Sequence, residues 1–89
     1  MPLQPNFTSR FKKDVDLAIR RGKDMSKLKV VMLLLINQQP LAVRYRDHWL
    51  SGNYANRREC HIEPDWLLIY KPTDTSIIFE RTGTHSDLY

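Results

Sequence analysis

RECHIEPDWLLIYKPTDTSIIFER, residues 58–81, decides the fold, because it contains two kinds of strand and the turn between two of them. From Arg58 to Glu63 the pattern has a period of two. Cys60 and Ile62 point to one side and Glu59, His61 and Glu63 to the other, as in a strand with one buried face. Pro64-Asp65 interrupts it. Trp66 to Tyr70 is apolar without alternation and too short for a helix, which predicts a strand buried on both faces. Lys71-Pro72-Thr73-Asp74 then supplies turn residues, and Ser76 to Arg81 reads as the returning strand.

Upstream the period changes. Pro2 and Pro5 favour an extended or irregular start and fit an edge strand. Thr8 or Ser9 can cap a helix on which Phe11, Val15 and Ala18 recur at helical spacing, with Lys12, Asp16 and Arg20 outward. Gly22 is a stop signal. Asp24 can cap a second helix, with Leu28, Val31 and Leu35 on one stripe, and the apolar run Val30 to Ile36 predicts that this helix is buried. Pro40 blocks its continuation. Leu41, Val43 and Tyr45 alternate with Ala42, Arg44 and Arg46 like a half-buried strand, and Ser51-Gly52-Asn53 marks a turn. Downstream, Gly83 ends the last strand and Thr84 to Tyr89 form a short tail. The expected architecture is α+β: a single domain over residues 1–89, with two N-terminal helices packed on one face of a small antiparallel sheet.

Composition sets further bounds. The 89 residues, 42% hydrophobic and 27% charged, suit one folded core. A single cysteine, Cys60, excludes an internal disulfide, and no signal peptide or bilayer-length apolar run is visible. The expected compartment is the cytoplasm, with no membrane association. Residues 1–40 hold eight Lys or Arg against three acids, and residues 41–89 hold six against seven. The basic half carries Arg10, Lys12, Lys13, Arg20, Arg21, Lys23, Lys27 and Lys29, a distribution that attracts phosphate. On charge alone, two solvated helices are the simpler reading.

No Gly-rich phosphate loop precedes a helix. Cys60 and His61 are neighbours on a strand, so they cannot ligate one ion together, and no Cys or His pair has zinc-finger spacing. Neither a metal nor another cofactor is expected. The Cys60 face looks like core, where a thiol is inert.

The three histidines are placed differently. His48 precedes the Ser51-Gly52 turn, His61 precedes Pro64, and His85 follows Gly83. Each stands near a break in the meander with an acid close in sequence: Asp47 for His48, Glu63 or Asp65 for His61, and Asp87 for His85. Strand ends and loops are where sites assemble, and histidine exchanges protons near neutral pH. Trp66 and Tyr89 are candidates for stacking on a base, although Trp66 also opens the buried run. Arg81 ends a strand and can clamp a phosphate, or else pair with a carboxylate.

Three stretches resemble one family. Tyr-Arg-Asp-His-Trp-Leu-Ser-Gly-Asn-Tyr at 45–54, Arg-Glu-Cys-His-Ile-Glu-Pro-Asp-Trp-Leu-Leu-Ile-Tyr-Lys at 58–71 and Phe-Glu-Arg-Thr-Gly-Thr-His-Ser-Asp-Leu-Tyr at 79–89 are similar to the YafQ-type toxins of the RelE superfamily. The resemblance is strong from about residue 25 onward. It implies the toxin half of a bacterial toxin–antitoxin pair that cleaves messenger RNA on the ribosome, partnered by ribosomal RNA and a cognate antitoxin. It places the family's functional positions on His48, His61, Asp65, Trp66 and His85. Tyr89 stands where the family usually has phenylalanine. The implied chemistry is attack of a 2′-hydroxyl on the adjacent phosphate, with His85 and Asp65 as the leading proton-transfer pair, His48 and His61 orienting the phosphate or sharing the transfer, and Arg81 neutralising charge. The basic helices would dock on ribosomal RNA. Two rival readings are a non-catalytic RNA- or ribosome-binding module and a partner-binding regulator with a toxin-like fold.

Overall fold

The computed structural model describes all 89 residues. A short strand, β1 (Gln4–Phe7), leads into α1 (Ser9–Arg20) and α2 (Met25–Ile36). The chain then forms β2 (His48–Trp49), β3 (Arg58–Glu63), β4 (Trp66–Pro72), β5 (Ser76–Gly83) and a final short helix, α3 (His85–Leu88). The strands make one sheet in the order β1-β5-β4-β3-β2, with β1 parallel to β5 and every other pair antiparallel.

Local signals set both long helices. Thr8 Oγ1 accepts from the Phe11 amide, and Asp24 Oδ1 accepts from the Ser26 amide, so each helix has its side-chain cap. Gly22 takes φ 77°, the left-handed turn that ends α1.

The helices cover one face of the sheet. Phe11, Ala18, Leu28 and Val31 meet Cys60, Ile62, Trp66, Leu68, Tyr70, Ile77 and Phe79 there. Phe7, Phe11 and Phe79 pack with ring centroids 5.7 to 5.9 Å apart. The opposite face has a smaller cluster, Leu67, Ile69 and Leu88, flanked by Leu50 and Tyr54. The predicted two-faced burial of Trp66 to Tyr70 therefore holds, since each of the five is at most 2% exposed. Each such side chain stabilises the fold by roughly 1.5–3 kcal/mol.

Two strand irregularities decide which residues leave the core. The pairing of β3 with β4 shifts between His61 and Glu63, and this turns Glu63 back toward the helices, where Lys23 and Lys27 bind it. The expected common face of His61 and Glu63 is thus broken by a bulge. A second shift lies opposite Glu80 in β5, so Thr82 returns to the core while Arg81 pairs with Ile69.

Other expectations need correction. Val43–Tyr45 is a 3-10 turn: it lies against β3 without pairing with any strand of the sheet, and Arg46 takes a left-handed φ of 52°. The apolar α2 is not buried all round, for Val30 and Leu33 stay about half exposed. The C-terminal tail is ordered as α3 by a capping box in which Thr84 and Asp87 bond each other's backbone amides. No helix is long and apolar enough to cross a membrane.

Candidate active site

The sheet face away from the two long helices carries the histidines. β2 pairs with β3 so that His48 stands opposite Glu59. Two residues further along β3, His61 projects from the same face. α3 begins at His85, which follows the end of β5. The His48 and His61 ring centroids are 6.4 Å apart, and those of His61 and His85 5.8 Å. Side chains separated by up to 37 residues thus share one surface.

Backbone carbonyls orient two of the rings. His48 Nδ1 lies 2.6 Å from the Arg46 carbonyl, and His61 Nδ1 lies 3.4 Å from the Pro64 carbonyl. Each Nδ1 thus faces a backbone carbonyl, and each Nε2 is directed elsewhere. That direction is Glu59. Its Oε2 is 3.4 Å from His48 Nε2 and 3.7 Å from His61 Nε2, and its side chain is 7% exposed. Glu59 Oε1 accepts the Tyr89 hydroxyl at 2.6 Å. Burial, with this bond to a carboxylate, raises the Tyr89 pKa and keeps the phenol protonated.

His85 has its own carboxylate. Asp65 Oδ1 lies 2.6 Å from His85 Nδ1 and accepts the His85 backbone amide at 2.9 Å. Those two bonds, the backbone one foremost, lower the Asp65 pKa and keep it ionised. The arrangement fixes Nδ1 as the protonated nitrogen and leaves Nε2 for other work, the role a carboxylate plays toward histidine in hydrolytic triads. Asp87 secures α3 from below. It accepts the Thr84 amide and forms a two-point ion pair with Arg21 at the end of α1. Gly83 is required here, because a Cβ would sit 2.8 Å from Asp87 Oδ2.

This geometry can be set beside known proteins. The model of the family described as "Bacterial toxin of type II toxin-antitoxin system, YafQ" matches residues 3–89. The chain belongs to the YafQ toxin family. It is 52% identical over 84 residues to the mRNA interferase toxin YafQ of Escherichia coli strain K12, covering 93% of this chain and 91% of that one. The crystal structure of YafQ from E. coli strain BL21(DE3) superposes with a TM-score of 0.94 at 49% identity, covering 98% of both chains. In the E. coli DinJ–YafQ toxin–antitoxin complex the matching chain gives a TM-score of 0.92 at 49% identity, with 100% of this chain and 99% of that chain covered. The α+β architecture expected from the sequence is thus that of the YafQ structures.

Not every expected site residue of this YafQ-family chain lies at the cluster. Trp66 is 1% exposed and sits on the helix side, where its indole N–H donates to Thr82 Oγ1 at 3.0 Å. It has no free face for a base, so the expected stacking role does not hold; Trp66 braces the strand that follows Asp65. Arg81 is bound on two nitrogens by Asp14, at 2.8 and 3.3 Å. β1 covers β5 only as far as Phe79, and Asp14 takes over that edge, also accepting the Thr82 amide. The guanidinium therefore answers a helix carboxylate. Among the eight basic residues, Arg21 holds Asp87, and Lys23 and Lys27 hold Glu63. The other five lie on α1 and α2, outside any ion pair.

Glu59 is the site member that sequence reasoning passed over. Its alternation with Cys60 put it on the His61 face, but its register opposite His48 depends on a two-residue strand that no periodicity reveals.

Proposed function

We propose that this chain is the toxin of a type II toxin–antitoxin pair and an endoribonuclease that cuts messenger RNA on the ribosome without a metal. The observation that carries the reading is the shared surface of His48, His61 and His85, with Asp65 holding the Nδ1 of one ring and Glu59 facing the Nε2 of the other two. A YafQ-family relative bearing the name mRNA interferase supports it.

The reaction is a transesterification. The 2′-oxygen forms a bond to phosphorus, and the bond from phosphorus to the 5′-oxygen breaks. The 2′-hydroxyl proton passes to a base, and an acid supplies a proton to the departing 5′-oxygen. The products are a 2′,3′-cyclic phosphate and a 5′-hydroxyl. His85 exchanges one proton at Nε2, with Asp65 as its positioning residue. The His48–His61 pair serves the other transfer and binds the phosphate, with Glu59 offsetting positive charge on either ring. Tyr89 offers a ring face to a base. The free cations of α1 and α2 dock on ribosomal RNA, and an antitoxin protein restrains the toxin, as DinJ accompanies YafQ in the E. coli complex.

The test is to map RNA ends after brief induction of wild type and of His85→Ala. Wild type should arrest translation and leave messages cut within codons, with cyclic phosphate ends. Loss of one acid–base group should slow cleavage by about 10²- to 10⁴-fold. Intact messages under wild type would leave only a binding module.

A further inference from the structure

We propose that the groove between the Val43–Tyr45 turn, α2 and the end of β3 is a nucleotide subsite for RNA on one side of the bond to be cut; this rests on the nuclease reading. Two adjoining hollows, of about 380 and 410 Å³, share Arg44, Tyr45 and Ile62. Each is within the range of small-molecule sites, roughly 300–1,000 Å³. Lys27 closes one end, and His61 with Pro64 the other. His61 therefore belongs both to the histidine surface and to the groove wall, so a strand whose phosphate lies among the histidines continues into the groove.

The wall is built for a nucleotide. Arg44 and Arg46 both line the groove, and neither guanidinium is paired with a carboxylate. This contrasts with Arg21, Arg57, Arg58 and Arg81, which all hold acids. The Arg44 guanidinium lies 4.9 Å from the Tyr45 ring centroid, presenting a flat cation on which a base can stack. Glu63 is the acid that faces the groove, and Lys23 and Lys27 neutralise it. Arg46 has a left-handed backbone, an uncommon state for a non-glycine residue, and its carbonyl is the group that fixes His48 Nδ1. One residue therefore ties the groove to the proton-transfer surface. An acidic peptide would satisfy the charges, but it would use neither the stacking face nor the continuity with the histidines.

The experiment is NMR titration of the full chain with a short RNA made uncleavable by 2′-O-methyl groups, with an oligoglutamate of equal length in parallel. RNA should shift the amides of Tyr45, Arg46 and Ile62 together with those of His48 and His61. In Arg44→Gln/Arg46→Gln, affinity should fall about tenfold, and the salt dependence should flatten by about 0.7 in log–log slope for each phosphate no longer neutralised. Both side chains are exposed, so the variant's unfolding midpoint should match wild type. Absence of RNA shifts at Tyr45 and Arg46, with or without shifts at the histidines, overturns the subsite. So does a response of those amides to oligoglutamate alone, or unaltered RNA affinity in the double variant. Intact messages after induction of wild type are a separate result that defeats the nuclease reading.

Discussion

The Tyr89 hydroxyl donates to Glu59 Oε1 at 2.6 Å, so an exposed aromatic ring is tied to the carboxylate that His48 and His61 share. Bonds of this charge-assisted kind contribute roughly 1.5–3 kcal/mol. Tyr89→Phe keeps the ring face and removes only this constraint. Cleavage should lose about tenfold in kcat, for about 1.4 kcal/mol of misplaced carboxylate, with KM nearly unchanged. Tyr89→Leu should raise KM as well. An unaltered kcat in the phenylalanine variant would mean that Glu59 needs no such tether.

Glu59→Gln tests the carboxylate itself. The amide is nearly the same shape, and its oxygen still accepts from Tyr89, so the thermal midpoint should move little. The charge facing both imidazoles is lost, and preorganised charge of this kind is worth about 10²- to 10³-fold in rate. Single-turnover cleavage within a factor of two of wild type would exclude Glu59 from the chemistry.

The legible parts of the molecule were those where one local rule acted alone. Thr8 and Asp24 cap helices because a short oxygen side chain precedes an amphipathic run, and both were readable. Trp66 to Tyr70 declared itself by having no polar position. What failed depended on partners distant in sequence. Leu41 to Tyr45 has strand alternation, but a strand needs a hydrogen-bonded partner strand, and this segment pairs with none. Glu63 alternates with Ile62, yet a bulge set by pairing with β4 moves it to the helix side. Arg81 is attractive for phosphate until Asp14, 67 residues away, is seen to occupy it.

Trp66 should behave as a structural residue. Trp66→Phe removes the donor to Thr82 Oγ1 and leaves a void in a core that excludes solvent. The unfolding free energy should fall by about 1–3 kcal/mol, read from chemical denaturation with unchanged slope. KM for message should stay close to wild type at temperatures where the variant remains folded. A large rise in KM without loss of stability would restore a direct role in RNA binding.

Asp65 and His85 should act as one unit. Asp65→Asn leaves an oxygen for the His85 backbone amide, but it removes the charge that stabilises a protonated ring, so cleavage should fall by about 10- to 10³-fold. Once His85 is gone, Asp65 has nothing to orient. The double variant Asp65→Asn/His85→Ala should therefore be no slower than His85→Ala alone. Multiplying losses in this cycle would show that Asp65 acts on the substrate independently.

The same carboxylates predict how acid releases the C-terminal helix. Asp65 and Asp87 both have pKa values below the ordinary carboxylate range, Asp65 through its bonds from His85, Asp87 through Arg21 and the Thr84 amide. A carboxyl group depressed on folding contributes stability that is complete above its unfolded value, about 3.9, and is lost as pH falls through the lower folded value. Each proton taken up thus removes a bond that holds α3. The core beneath β4 and β5 is built of buried apolar side chains that neither Asp65 nor Asp87 holds in place. Hydrogen exchange measured at decreasing pH, corrected for the intrinsic rate, should show Asp87, Leu88 and Tyr89 losing protection while Leu68 and Phe79 keep theirs. Asp87→Asn should bring that release about at neutral pH. Loss of α3 and core protection together in a single acid transition would mean that the helix is not separately held.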